Sequence, residues 1–110
     1  MKARYIQRGE SIDYIPETDV AAGDIIVLGD LVGVAKLDIK AGELGALALV
    51  GVYEVAKDET AIAAGKQLAV NPDTGKACEP GTSGSVVFGC AVKAAEASDP
   101  TVLIRLEQAL

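Results

Sequence analysis

Residues 67–79 read QLAVNPDTGKACE and contain the clearest local structural signal in the chain. Two short runs of strand-forming residues flank the turn Asn71-Pro72-Asp73-Thr74-Gly75. Proline presets φ for the first central position of a turn, aspartate favours turn conformations, and glycine accepts positive φ. The segment therefore predicts a β-hairpin with strands at 67–71 and 76–79.

Short apolar runs with similar turn residues between them extend from this hairpin in both directions. Their length and spacing are typical of a β-sandwich or small barrel. Two alanine-rich segments, 57–64 and 92–97, lack a full amphipathic period and predict at most one or two helical turns. The sequence thus predicts an all-β, single-domain sandwich or barrel, with a jelly-roll arrangement among the alternatives. The predicted strands are 5–7, 11–15, 25–28, 31–36, 44–50, 52–55, 67–71, 76–79, 85–92 and 102–106.

A boundary is predicted at Pro16, because proline cannot donate a hydrogen bond to a sheet ladder. Residues 1–16 are predicted to form an N-terminal arm with edge strands, and residues 17–110 the β-domain. Within that domain, the motif at 21–27 returns at 63–70, and Gly-x-Ala at 33–35 returns at 89–91. Two degenerate half-repeats, 21–55 and 63–106, are one interpretation, with a hairpin inserted at 71–84. Chance similarity between alanine- and glycine-rich strands is the equally weighted alternative.

The start of the chain is basic although the whole is acidic. Lys2, Arg4 and Arg8 give the first eight residues a charge of +3, and since the net charge is −6, the remainder carries −9. One interpretation is a charged edge that prevents aggregation. The other is a partner-binding arm whose candidate residues are Lys2, Arg4, Tyr5, Ile6 and Arg8.

Composition restricts the stability and the partners of the domain. A chain of 110 residues forms one domain with a modest core, and only three tyrosines and one phenylalanine supply large aromatic side chains. Small domains of this kind gain stability from partners or from copies of themselves, so a homo-oligomer, a dimer or trimer, or a subunit bound to a partner is expected. The acidic balance disfavours nucleic acid as a partner. No export segment and no long apolar run is recognisable, so no membrane partner is predicted, and synthesis in a cytoplasm is expected.

The residue inventory disfavours catalysis. The sequence has no histidine, which removes histidine-based triads, the commonest general base near neutral pH and histidine–metal sites. With only two cysteines, a structural zinc site is also disfavoured. Lysines follow glycines at Gly65-Lys66 and Gly75-Lys76, but neither pair has the earlier glycine or the following Ser/Thr of a phosphate loop. Cys78 and Cys90 are predicted to be reduced, buried thiols, with a single disulfide as the alternative. No catalytic, cofactor-binding or metal-ligating residue is predicted, and the protein is expected not to be an enzyme.

The order and spacing of eight runs resemble a family of phage and prophage capsid cement proteins, formerly described as a domain of unknown function. The resemblance implies a structural protein that binds the major capsid protein on the outer face of the assembled head. It thus implies a virion location after synthesis in the bacterial host cytoplasm, and it implies no cofactor. The runs are 6–14, 22–27, 31–35, 43–55, 64–66, 70–76, 89–92 and 102–106.

Two functions other than capsid decoration are alternatives. The same family has carried a label as a RecA-like phage recombinase, but this sequence lacks a phosphate loop and a βαβ pattern and is acidic. A generic virion or tail adaptor with a β-fold is the second alternative. Copy number in the virion separates the two structural functions, because decoration requires many copies and an adaptor few.

Overall fold

The fold consists of strands joined by turns throughout residues 2–82 and 84–107, the parts of the chain that this computed structural model describes. Portions of the predicted segments 1–16 and 17–110 that fall on Met1, Ser83 and residues 108–110 lie outside the described residues. The described strands are β1 Ser11–Tyr14, β2 Ile25–Leu28, β3 Leu31–Ala35, β4 Gly45–Ala48, β5 Val52–Ala56, β6 Gln67–Asn71, β7 Lys76–Cys78, β8 Val86–Ala91 and β9 Thr101–Leu106.

These strands form two antiparallel sheets. The first sheet has the order β1-β4-β3-β2, and the second has the order β5-β9-β8-β6-β7. The predicted all-β class is confirmed, and the described residues contain no helix. The two segments considered for helical turns instead meet each other, through an antiparallel bridge between Ile62 and Ala95.

One predicted strand is wrong. Residues 5–7 form no strand in the structure, and the side chains of Tyr5 and Ile6 are 78% and 71% exposed. Their residue types favour strands, but a strand forms only where a neighbouring strand accepts its backbone hydrogen bonds and covers its side chains. The edge of the first sheet begins only at Ser11, where β1 pairs with β4.

The predicted hairpin between β6 and β7 is confirmed. The carbonyl of Asn71 accepts hydrogen bonds from the backbone N–H groups of Thr74 and Gly75, at 3.2 and 2.7 Å. The Asn71 side-chain Oδ1 accepts a further bond from the Asp73 N–H at 2.9 Å. Gly75 has φ +70°, the left-handed conformation that glycine adopts without steric cost.

The main core lies between the sheets. Phe88, Leu68 and Ile104 of the second sheet are fully buried and belong to the same cluster as Val32 and Val34 of β3. A second, smaller cluster lies on the other face of the first sheet and contains Val20, Ala35, Ile39 and Leu47. The connections before β2 and after β3 close over this cluster through a bridge between Val20 and Ile39. Each apolar side chain removed from water contributes in proportion to its area.

The two sheets share a hydrogen-bonding pattern. The bridge Val20–Ile39 beside the first sheet corresponds to the bridge Ile62–Ala95 beside the second. The Gly23 N–H donates to the Ala35 carbonyl at 2.6 Å, and the Gly65 N–H donates to the Ala91 carbonyl at 2.8 Å. Strand β5 pairs with β9 in the second sheet. A repeat drawn by sheet would therefore end before Val52, not at residue 55 as the sequence motif suggested.

The two cysteines are free thiols. Cys78 is buried as predicted, whereas Cys90 is only half-buried, with its Sγ 3.9 Å from the Glu107 carboxylate. Cys78 lies opposite Ala69 in β6, and Cys90 lies opposite Gln67 on the other side of the same strand. The predicted burial is therefore confirmed for Cys78 and wrong for Cys90.

Candidate functional site

The predicted partner-binding residues lie together on one exposed segment. We call residues 2–8 the basic arm; every side chain in it is exposed. Lys2, Arg4 and Arg8 supply its charge, and Tyr5 and Ile6 supply its apolar surface. Exposed charged residues are ordinary, but large apolar side chains in an extended segment contribute no hydrophobic stabilisation unless a partner covers them.

The basic arm contacts the body of the protein at its C-terminal end. Arg8 forms an ion pair with Glu10 at 3.0 Å, and both side chains are more than half exposed. The Gln7 side-chain Nε2 donates to the Ser11 carbonyl at 3.0 Å. Exposed ion pairs contribute only about 0–1 kcal/mol, so these contacts orient the end of the arm without fixing its first residues.

A second surface arises where the first sheet extends beyond the second. Val34, Ala48 and Ser11 lie opposite one another on three neighbouring strands, so their side chains share one face. On that face Val34 is buried against the second sheet and Ala48 is also buried, whereas Ser11 and the adjacent Ala46 are exposed. From Ala46 to β1 the face is thus left without a covering sheet.

This uncovered face forms a cavity of about 470 Å³, which we call the apolar groove. Its size lies within the range of protein ligand sites, roughly 300–1,000 Å³. Leu37, Leu44 and Val50 stand around it and are 77%, 67% and 49% exposed. The remaining lining residues are Glu10, Ser11, Lys36, Asp38, Ile39, Glu43, Gly45, Ala46 and Ala48.

Sequence reasoning missed the apolar groove. Leu44 was included in a long predicted strand, 44–50, but β4 begins at Gly45 and ends at Ala48, so Leu44 and Val50 flank it. The only local signal was that Leu37 and Leu44 lie close to the turn at Ala41-Gly42. Their convergence with Val50 depends on strand pairing that no local pattern specifies.

A third feature is a buried cation. Lys57 is only 5% exposed, and its Nζ donates to four backbone carbonyls: Asp58 at 2.9 Å, Glu96 at 2.9 Å, Asp99 at 3.2 Å and Ala97 at 3.4 Å. No carboxylate forms an ion pair with it among the residues that the structure describes. An ammonium group has three protons to donate, so these carbonyls share them. The arrangement attaches the loop before β9 to the end of β5 and serves structure.

The described ranges contain no cluster of three acidic, cysteine or histidine side chains able to hold a metal ion. Over those ranges, no helix is long and apolar enough to span a membrane. The basic arm and the apolar groove each combine exposed large apolar side chains with charged ones.

A family model described as phage cement protein matches residues 6–106. The chain belongs to this family. The match includes all nine strands, the apolar groove, Ile6 and Arg8, and it begins after Lys2, Arg4 and Tyr5. No curated protein and no solved structure gives a significant match to the chain.

Membership in the cement family confirms the resemblance drawn from the sequence and the predicted function as a capsid cement protein. A cement protein binds the phage capsid, and this chain is accordingly a capsid-associated structural protein. Nothing in the match supports the recombinase alternative.

Proposed function

We propose that this cement protein attaches to the major capsid protein on the outer face of the assembled head, as a homo-oligomer and without catalytic activity. The observation that supports this most directly is the family match over residues 6–106, which covers the two-sheet body and only the last three residues of the basic arm. The protein acts on the virion after synthesis in the bacterial host cytoplasm.

The mechanism is a sum of modest contacts. Each copy that bridges neighbouring capsid subunits adds binding free energy to the assembled head and none to the separated subunits, so the assembled state is favoured. Contacts between neighbouring copies add to this, because a bound neighbour raises the effective concentration of the next. Many weak interfaces can therefore resist the outward pressure of packaged DNA.

The basic arm takes part in this attachment, through Lys2, Arg4, Tyr5, Ile6 and Arg8. Its partner is an acidic surface, either on the capsid or on the body of a neighbouring copy. Exposed ion pairs would contribute about 0.2–1 kcal/mol each, so most of the affinity comes from burial of Tyr5 and Ile6. The dependence of binding on salt concentration should accordingly be moderate.

Decoration of heads that lack the protein tests the proposal. Purified protein is added to heads of its own phage assembled without it, and cryo-electron microscopy measures occupancy and position. We expect copies on the outer surface in proportion to the number of capsid subunits, and greater resistance of the heads to heat. A few copies at a single vertex would identify an adaptor and contradict the proposal.

Nucleotide binding tests the absence of catalytic activity. We expect no saturable binding of ATP at micromolar concentration by calorimetry, because no phosphate loop is present in the sequence. Saturable binding together with hydrolysis would revive the recombinase alternative.

A further inference from the structure

A single copy of the chain leaves two apolar surfaces exposed that match each other in chemistry. The basic arm leaves Tyr5 and Ile6 in water, and the apolar groove leaves Leu37 and Leu44 in water. The arm is attached at the rim of the groove, since Glu10 and Ser11 line it, yet the arm does not enter it. Within one copy, neither surface is covered by the other.

The charges of the two surfaces are complementary. The groove is lined by three carboxylates, Glu10, Asp38 and Glu43, against one ammonium group, Lys36. Glu10 already pairs with Arg8 of its own chain, and one oxygen of Asp38 accepts the Ala22 N–H at 2.8 Å. Glu43 forms no ion pair in the part of the chain that the structure describes. It is therefore the carboxylate most available to a cation from outside.

We infer that the apolar groove binds the basic arm of a second copy, with Tyr5 and Ile6 against Leu37, Leu44 and Val50. Arg4 and Lys2 of the incoming arm lie near Glu43 and Asp38, while Arg8 remains on Glu10 of its own chain. This inference rests on the proposed homo-oligomer and specifies the contact that forms it. In the assembly, an exchanged segment of this kind covers the apolar side chains that a single copy leaves exposed.

A mixing experiment with two half-defective variants tests the exchange. Deletion of residues 2–8 removes the arm and keeps the groove, whereas Ala46→Arg keeps the arm and places a bulky cation in the groove. Ala46 is exposed on β4, so the substitution leaves the core intact. Sedimentation velocity should show the parent as an oligomer at tens of micromolar, each variant as a monomer, and an equimolar mixture as a complex of the two.

The matched control is Ala56→Arg, the same substitution at an exposed position of β5, one of the two edge strands of the second sheet. It should self-associate like the parent, with a dissociation constant changed less than about twofold, whereas Ala46→Arg should raise it at least about tenfold. Circular dichroism confirms that all variants retain β-structure. A parent that stays monomeric, or a mixture that does not assemble, would overturn the inference. Monomers whose arm is protected from proteolysis would show the arm in its own groove and also contradict it.

A charge exchange provides a second test that does not depend on Ala46. Arg4→Glu alone and Glu43→Lys alone should each raise the dissociation constant several-fold, and the double variant should recover most of the loss. Glu59→Lys, an equal charge change at an exposed residue outside the groove, should have no such relation to Arg4→Glu. If the double variant is as weak as the sum of the single ones, Arg4 and Glu43 do not meet.

The two proposals fail in distinguishable ways. A protein that stays monomeric and still decorates heads at full occupancy overturns the exchange of arms and leaves the capsid attachment standing. A protein that assembles through its groove but does not bind heads overturns the capsid attachment and leaves the exchange of arms standing. The same preparations serve both measurements.

Discussion

The two sheets share the hydrogen-bonding pattern of one bridge and one glycine N–H bond described above, which we call the frame. They differ in what covers them. In the second sheet, β8 and β9 bear fully buried Phe88 and Ile104 in the main core. In the first sheet only β2 and β3 pack on that core, while the same face of β4 and β1 is left open as the apolar groove. The comparison indicates that the frame provides stability, and that the surface with binding chemistry lies where one sheet lacks its counterpart.

Two glycines at corresponding places in the frame should give the largest difference. A Cβ built on Gly89 collides with the backbone carbonyl oxygen of Arg105 on the neighbouring strand, whereas one built on Gly33 meets the Leu47 Cβ at 2.8 Å. We expect Gly89→Ala to cost about 3 kcal/mol or more, since β8 and β9 must separate, and Gly33→Ala about 1–2 kcal/mol.

Urea denaturation followed by circular dichroism measures both free energies of unfolding. A small domain has only about 5–15 kcal/mol in total, so Gly89→Ala should be close to the limit of folding. Equal losses of unfolding free energy for the two variants would show that the second sheet accommodates the added methyl group as readily as the first. The expected contrast between the sheets would then be wrong.

The loop before the last strand of each sheet is held by different chemistry, and this gives the next largest effect. Before β4, the Gly42 N–H donates to the Pro16 carbonyl at 2.9 Å. Before β9, the Lys57 ammonium binds three carbonyls of residues 96–99. Lys57→Met keeps the aliphatic stem but removes the ammonium donor from all three carbonyls, of which only that of Glu96 keeps another donor among the described residues, the Asp99 N–H at 3.0 Å. We therefore expect a loss of about 1–3 kcal/mol.

Lys93→Met is the matched control for Lys57→Met, because Lys93 is exposed on the approach to the same loop. Its effect on the free energy of unfolding should stay within about 0.5 kcal/mol. A loss for Lys57→Met no larger than that of the control would show that water replaces the ammonium at no cost.

The features that the sequence predicted correctly depend on local chemistry. The hairpin at residues 71–75 follows from the conformational preferences of five adjacent residues, and the strands follow from short apolar runs between turns. Tyr5 and Ile6 have the same strand preference, but no strand lies beside them, and the prediction for residues 5–7 was therefore wrong. Preference alone does not supply a hydrogen-bonding neighbour.

The features that the sequence did not predict depend on contacts between distant residues. Lys57 was placed at the start of a candidate helical turn, whereas its role depends on carbonyls about 40 residues later in the chain. The apolar groove depends on how far the second sheet extends over the first, which follows from strand order. The partner-binding role of Lys2, Arg4, Tyr5, Ile6 and Arg8 stays a prediction.

Two turn glycines should have equal effects in the two sheets. Gly23 and Gly65 have φ of +91° and +82°, each donates its N–H to a carbonyl at the end of the neighbouring strand, and a Cβ would meet no atom within 4 Å at either. Alanine at either position must adopt the left-handed conformation, which costs about 1–2 kcal/mol. Thermal unfolding of Gly23→Ala and Gly65→Ala should give the same decrease in melting temperature. Unequal decreases would show that the shared frame is not equally rigid in the two sheets.

The smallest effect on stability should accompany the largest effect on assembly, when residues 2–8 are deleted. Within one copy the arm buries no large side chain, and its ion pair between Arg8 and Glu10 is exposed. At protein concentrations where the parent is monomeric, the deletion should therefore change the free energy of unfolding by less than about 0.5 kcal/mol. The same deletion should sharply lower occupancy on heads, because it removes Tyr5, Ile6 and three cations together. Arg4→Glu with Arg8→Glu should lower occupancy less, since the apolar residues remain. If the truncated protein unfolds, the arm is instead an integral part of the first sheet, and if it folds and decorates heads fully, the arm is not a docking element.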